Sequence, residues 1–146
     1  MLLKEIKITS PYEIGRVLPY VNGGKPLDHK AVDFRAILGT EIYAPEKIRI
    51  KRTGYNPNGW KEGYVVADGL ESGYELKFIH VAAKCSPGET IERNGLVAVS
   101  DGSGTTDGRG GKAPHLHFEV WQGESWKGGH PVNPMENGYF GTYIQV

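Results

Sequence analysis

The sequence predicts an all-β protein, a mainly antiparallel β-sheet or sandwich with little helix. Three observations lead there. Apolar residues recur in short alternating runs, turn-forming residues bound each run, and no window sustains a 3.6-residue period. Glycine supplies 21 of the 146 residues and proline nine. That glycine share is about twice the usual ~7%, which argues for many turns.

The elements follow in order. Leu3, Ile6 and Ile8 lie in an opening strand-like stretch. AVDFRAI (31–37) alternates partly, and KIRIKR (47–52) alternates cleanly, with Ile48 and Ile50 on one face. GYVVADG (63–69), YELKFIHVAA (74–83), LVAVSD (96–101), HLHFEVWQ (115–122) and GTYIQV (141–146) complete the predicted strands. Two long connections stand between them, at 52–63 and 100–114. Long loops in a compact domain are commonly functional, and the second runs straight into two histidines. Such loops are otherwise disordered, and of the two readings the substrate side is preferred for both.

Bulk properties narrow the function. A chain of 146 residues is expected to form one domain, 1–146, with its own core. Lys plus Arg equals Asp plus Glu at 17 each, so no nucleic acid or anionic membrane partner is expected. The lone cysteine, Cys85, excludes an internal disulfide and a paired-cysteine metal motif, and is expected to be a free core thiol. The N-terminal stretch carries Lys4, Glu5 and Lys7 and lacks the apolar run of a signal peptide. No segment approaches the ~20 apolar residues of a membrane span. A monomer is expected.

The chemistry lies in the histidines. His115 and His117 are two apart on a predicted strand, so their side chains share a face, with Cα atoms roughly 6.7 Å apart. Leu116 and Phe118 then point to the core. Imidazole is a preferred zinc ligand. His29 and Asp33 are four apart in HKAVDF. On a straight strand they would be about 13 Å apart, too far to share an ion. The chain is therefore expected to curve, with His29 in the preceding loop and Asp33 on the strand. Two histidines and one carboxylate would leave the fourth position of a zinc ion open, as catalytic sites require. His80, at the end of LKFIH, is a further candidate, whereas His130 is read as a surface or turn histidine. The HExxH, GxSxG and GxxxxGK[ST] motifs are all absent. Asp101 and Asp107 lack EF-hand spacing and read as a solvated loop.

The ordered set HKAVDF, FIH and PHLHFEV resembles the M23 peptidase family, the LytM/lysostaphin-type zinc endopeptidases. The resemblance spans about Ile8 to Pro134 and includes ITSPY before the first motif, GTEIYAP after it and PVNP after the last strand. It implies a lysostaphin-type catalytic domain in which His29, Asp33 and His117 hold one zinc ion. It further implies that His115 handles the proton of the attacking water and that His80 stabilises the oxyanion. The implied substrate is a peptide bond of bacterial peptidoglycan, in the stem or the cross-bridge. The family usually has glycine where this chain has Ala31 and Ala113. Ala31 is expected to restrict the local backbone, because alanine tolerates positive φ poorly. The competing reading is a non-catalytic wall- or partner-binding module. Such modules lack one or more of the five positions, and all five are present here. Action at the bacterial cell wall is expected, with a phage-type lytic enzyme one setting that suits a domain without a leader.

Overall fold

The computed structural model describes residues 1–17, 25–58, 61–106, 111–136 and 138–145. Its main feature is an eight-stranded antiparallel sheet. The path across it runs β1 (Ile8–Ser10), β4 (Val32–Arg35), β12 (His115–Gln122), β8 (Glu75–Ile79), β7 (Gly63–Gly69), β6 (Ile48–Tyr55) and β10 (Thr90–Ile91). The eighth strand, β13 (His130–Val132), pairs with the last three residues of β12, on the edge whose first half pairs with β4. A three-stranded sheet joins β5 (Glu41–Tyr43), β11 (Leu96–Ser100) and β9 (Val81–Ala83). β2 (Glu13–Arg16) and β3 (Leu27–His29) form a separate two-stranded ribbon.

The core lies between the two larger sheets. Val32, Phe34, Leu76, Phe78, Leu116, Phe118 and Val120 enter it from one side. Ile42, Val81, Val97 and Ala98 enter it from the other. The Phe78 and Phe118 rings meet at 5.3 Å between centroids. Alternation along β12 explains its role. Leu116, Phe118 and Val120 are fully buried, each stabilising the fold by roughly 1.5–3 kcal/mol, while His115, His117 and Glu119 project from the opposite face.

Three expectations are corrected. Leu2 and Leu3 are fully buried, yet β1 begins only at Ile8. They are held by backbone bonds instead, with Leu2 N–H donating to Ile144 O and Tyr43 N–H to Leu2 O. GTYIQV is not a strand: Phe140–Ile144 is a π-helical turn, with Gln145 N–H donating to Phe140 O at 2.9 Å. Tyr139 and Ile144 are both buried, five residues apart. A period-two strand would put them on opposite faces, whereas a π-turn stacks them on one side. The 52–63 segment is also less of a loop than expected, because β6 and β7 stay paired out to Tyr55 and Gly63. Gly59 and Trp60 lie outside the described residues, as do 107–110 of the second long connection.

Glu46 is a fully buried carboxylate. It accepts from the Glu71 and Ser72 N–H groups and from the Ser72 and Tyr139 hydroxyls. One buried anion thereby ties the β7–β8 turn to the C-terminal segment, its desolvation offset by four donors. Cys85 is half-buried against the core and free, and burial pushes its thiol up to about 11, helped by the Glu89 charge.

Candidate metal centre

β4 and β12 build the middle of the site. Their register pairs His117 with Asp33 and His115 with Arg35, and paired side chains stand on one face of a sheet. His117 Nδ1 lies 3.0 Å from Asp33 Oδ1, and His115 Nε2 lies 3.7 Å from Asp33 Oδ2. His29 arrives from outside the sheet. It ends β3 rather than sitting in a loop as expected, and the chain breaks between that ribbon and β4. The bend brings His29 Nε2 to 3.3 Å from Asp33 Oδ2, which a continuous strand could not do. Ala31, within the bend, is buried and is not among the positive-φ residues. The expected restriction at that position therefore has no strain to act on.

His80 follows β8 directly, at the corner where the chain leaves the large sheet for β9. Its φ is 71°, unusual for a residue with a Cβ and the kind of strain that surrounding contacts must hold. Those contacts are present. His80 N–H donates to Gly63 O, its carbonyl accepts from Asp101 N–H, and its Nδ1 bonds Ser103 O at 2.6 Å. Its ring centroid lies 4.6 Å from that of His115 and 5.9 Å from that of His117. Two triads therefore meet at His117. His29, Asp33 and His117 bring ligand atoms within 4.8 Å of one another, and so do His80, His115 and His117. All five residues singled out in the sequence come together. His130 does not: it is exposed at the start of β13.

Each imidazole is fixed through one nitrogen. His29 Nδ1 bonds Pro11 O at 2.7 Å, and His115 Nδ1 bonds Ala113 O at 2.9 Å. A carbonyl only accepts, so in both rings Nδ1 carries the hydrogen and Nε2 the lone pair. His80 is set in the same way by Ser103 O. His117 is reversed: its Nε2 meets Glu119 Oε2 at 3.0 Å, leaving Nδ1 turned to Asp33. Partners of this kind fix the tautomer and orientation of metal-ligating histidines. Glu119 is itself held, accepting from Trp121 Nε1 at 2.6 Å with Lys77 Nζ at 3.8 Å.

The charges match a cation site. Burial raises the Asp33 pKa, but its contacts with His117 and His29 and the charges of His117 and His115 outweigh it and hold the carboxyl well below the usual range. Burial likewise lowers the His117 pKa, yet hydrogen bonds to Asp33 and Glu119 and their charges carry it up to about 9. A buried proton held between two carboxylates marks a place where positive charge is strongly favoured. His80 goes the other way, pulled down to about 4 by burial and then by His115.

Sequence reasoning did not single out Glu119, or the Pro11, Ala113 and Ser103 carbonyls. Glu119 had a signal, since His115, His117 and Glu119 follow the same two-residue step. The carbonyls carry no side-chain signature and emerge only from the packing.

Converging histidines, an aspartate and a carboxylate-buttressed imidazole on one face of an open antiparallel sheet form a donor set that could hold a metal ion. Residues 27–134 match the family model for peptidase family M23, and the chain belongs to that family. That family is one of peptidases. A Haemophilus influenzae protein described as an uncharacterized metalloprotease is 27% identical over 92% of this chain. The catalytic domain of lysostaphin, the antimicrobial peptidase of Staphylococcus simulans, matches with a TM-score of 0.70 at 22% identity, over 90% of this chain and 91% of that one. A zinc-containing peptidase from Vibrio cholerae matches with a TM-score of 0.71 at 24% identity over 92% of this chain. This chain spans 26% of the Haemophilus protein and 37% of the Vibrio one. Among the described residues no helix is long and apolar enough to cross a membrane.

Proposed function

We propose that this chain is a zinc-dependent endopeptidase acting on peptide bonds of bacterial peptidoglycan, in the stem or the cross-bridge. The observation that carries the reading is the convergence of His29 Nε2, the Asp33 carboxylate and His117 Nδ1, each histidine fixed through its other nitrogen. The donor set of two imidazoles and one carboxylate fits zinc and keeps a position open. When bound, the ion supplies Lewis-acid polarisation of the scissile carbonyl and acidifies the attacking water. Likeness to the lysostaphin catalytic domain, an antimicrobial peptidase, supports a cell-wall substrate.

The chain's own residues supply the rest. His115 presents the Nε2 lone pair and takes the proton of the water, its ring held by Ala113 O. His80 has Nδ1–H committed to Ser103 O, so its Nε2 accepts while the ring is neutral. It donates to an oxyanion only as the imidazolium, so that role requires a proton gained during the reaction. Glu119 holds His117 in the tautomer that turns Nδ1 to the centre.

Purified protein is expected to hold about one zinc per chain, to lose activity with a chelator, and to release new peptide N-termini from defined peptidoglycan, read by mass spectrometry. His117→Ala should lose the metal. His115→Ala should keep it and be inactive, and wild-type activity in that variant would refute the division of roles.

A further inference from the structure

We propose that Arg35 is a carboxylate-binding residue beside the candidate metal centre and gives the enzyme a preference for anionic peptides. This rests on the peptidase reading above and names a feature of the substrate. Arg35 pairs with His115 in the β4–β12 ladder and lies two residues from Asp33, so both relations put its side chain on the face of the centre. Val32 and Phe34 bury into the core while Arg35 stays exposed. Its guanidinium has no ion-pair or hydrogen-bond partner among the described residues.

Arg35 also lines a cavity of about 430 Å³ together with Lys4 and Lys7. Two acids, Glu5 and Glu41, share that lining, and Glu41 is already engaged by the Tyr43 hydroxyl. A second cavity, of about 420 Å³, lies across the sheet and includes Ile79 and Tyr64. Ile79 pairs with His117, and Tyr64 pairs with Ile79. Arg35 thus joins the first cavity to the His115 side of the centre and Ile79 joins the second to the His117 side, so an extended peptide crossing the centre would place a segment toward each. The cations of the second cavity are engaged, Lys77 near Glu119 and Arg52 over the Trp126 ring. Arg35 is not. A planar guanidinium in that position matches a carboxylate through two parallel hydrogen bonds. The ligand chemistry is a peptide carboxylate, either an internal acidic group or a free C-terminus.

The test uses the zinc-loaded 146-residue chain and synthetic stem peptides in which each carboxylate, internal or terminal, is amidated in turn. The amide keeps the shape and removes the charge, so the series shows which carboxylate is read. For one position the carboxylate form is expected to have about tenfold higher kcat/KM than its amide, mostly through KM. The preference should shrink with ionic strength. It should disappear in Arg35→Gln, persist in part in Arg35→Lys and invert in Arg35→Glu. Equal use of carboxylate and amide by wild type, or a preference surviving in Arg35→Gln, overturns the proposal. If no stem peptide is cut, the peptidoglycan reading fails by itself. Calorimetry of the same peptides with zinc-loaded His115→Ala protein then decides on Arg35. Tighter carboxylate binding that Arg35→Gln abolishes supports it, and equal binding overturns it.

Discussion

Glu119 shows how one side chain can govern a site without facing its centre. Its carboxylate bonds His117 Nε2 and is held by Trp121, with Lys77 close by. Burial raises the Glu119 pKa, but the His117 hydrogen bond and the Lys77 charge outweigh it, so the group stays ionised. Replacing it by alanine removes the Nε2 partner that sets the His117 tautomer. Glu119→Ala is expected to weaken zinc binding by about 10–100-fold, measured by chelator competition, with the unfolding transition still cooperative. Unchanged affinity would mean that packing alone orients His117.

At the scale of elements, the corner after β8 sets the geometry of His80. Gly63 begins β7 where a Cβ would run into the Val81 carbonyl, and its N–H donates to Ser103 Oγ at 2.8 Å. Ser103 N–H in turn donates to Asp101 Oδ1 at 2.9 Å, and Ser103 O receives the His80 ring. Gly63, His80 and the Asp101–Ser103 turn therefore move together. Gly63→Ala forces β7 away from β9 and is expected to cost about 1–3 kcal/mol by overpacking. Urea unfolding measures that cost. Activity measured well below the unfolding transition should fall further than the lost folded fraction explains, because His80 loses its position.

For the whole molecule, the site's charges couple folding to pH in the metal-free protein. His117 is raised in the fold to about 9. Its contribution is complete below the unfolded value near 6.5 and is lost as pH rises through about 9. His80 is lowered to about 4. The unfolded chain therefore takes up that proton first, and stability falls as pH drops from about 6.5 toward 4. The contribution of these two histidines is thus largest near pH 6.5 and declines on both sides. Urea midpoints of chelator-treated protein across pH 4–9 check it, and a midpoint rising steadily to pH 9 would contradict it. Zinc should oppose the alkaline decline, since it binds deprotonated ligands.

By itself the sequence determined the sheet character and the chemical cast of the site. Short alternating runs bounded by turns have few alternatives to antiparallel strands, and the two-residue step from His115 to His117 puts both rings on one face whatever surrounds them. Leu116 and Phe118 follow as core residues by the same parity. Where local spacing did not constrain the answer, only the tertiary structure decided. The bend between β3 and β4 joins His29 to Asp33, and the β4–β12 register sets Asp33 beside His117. The C-terminal run becomes a π-turn because Tyr139 and Ile144 must reach one core. Which nitrogen each imidazole turns to the centre depends on carbonyls and a carboxylate brought in by the fold. Those partnerships are long-range, and no local pattern in the chain encodes them.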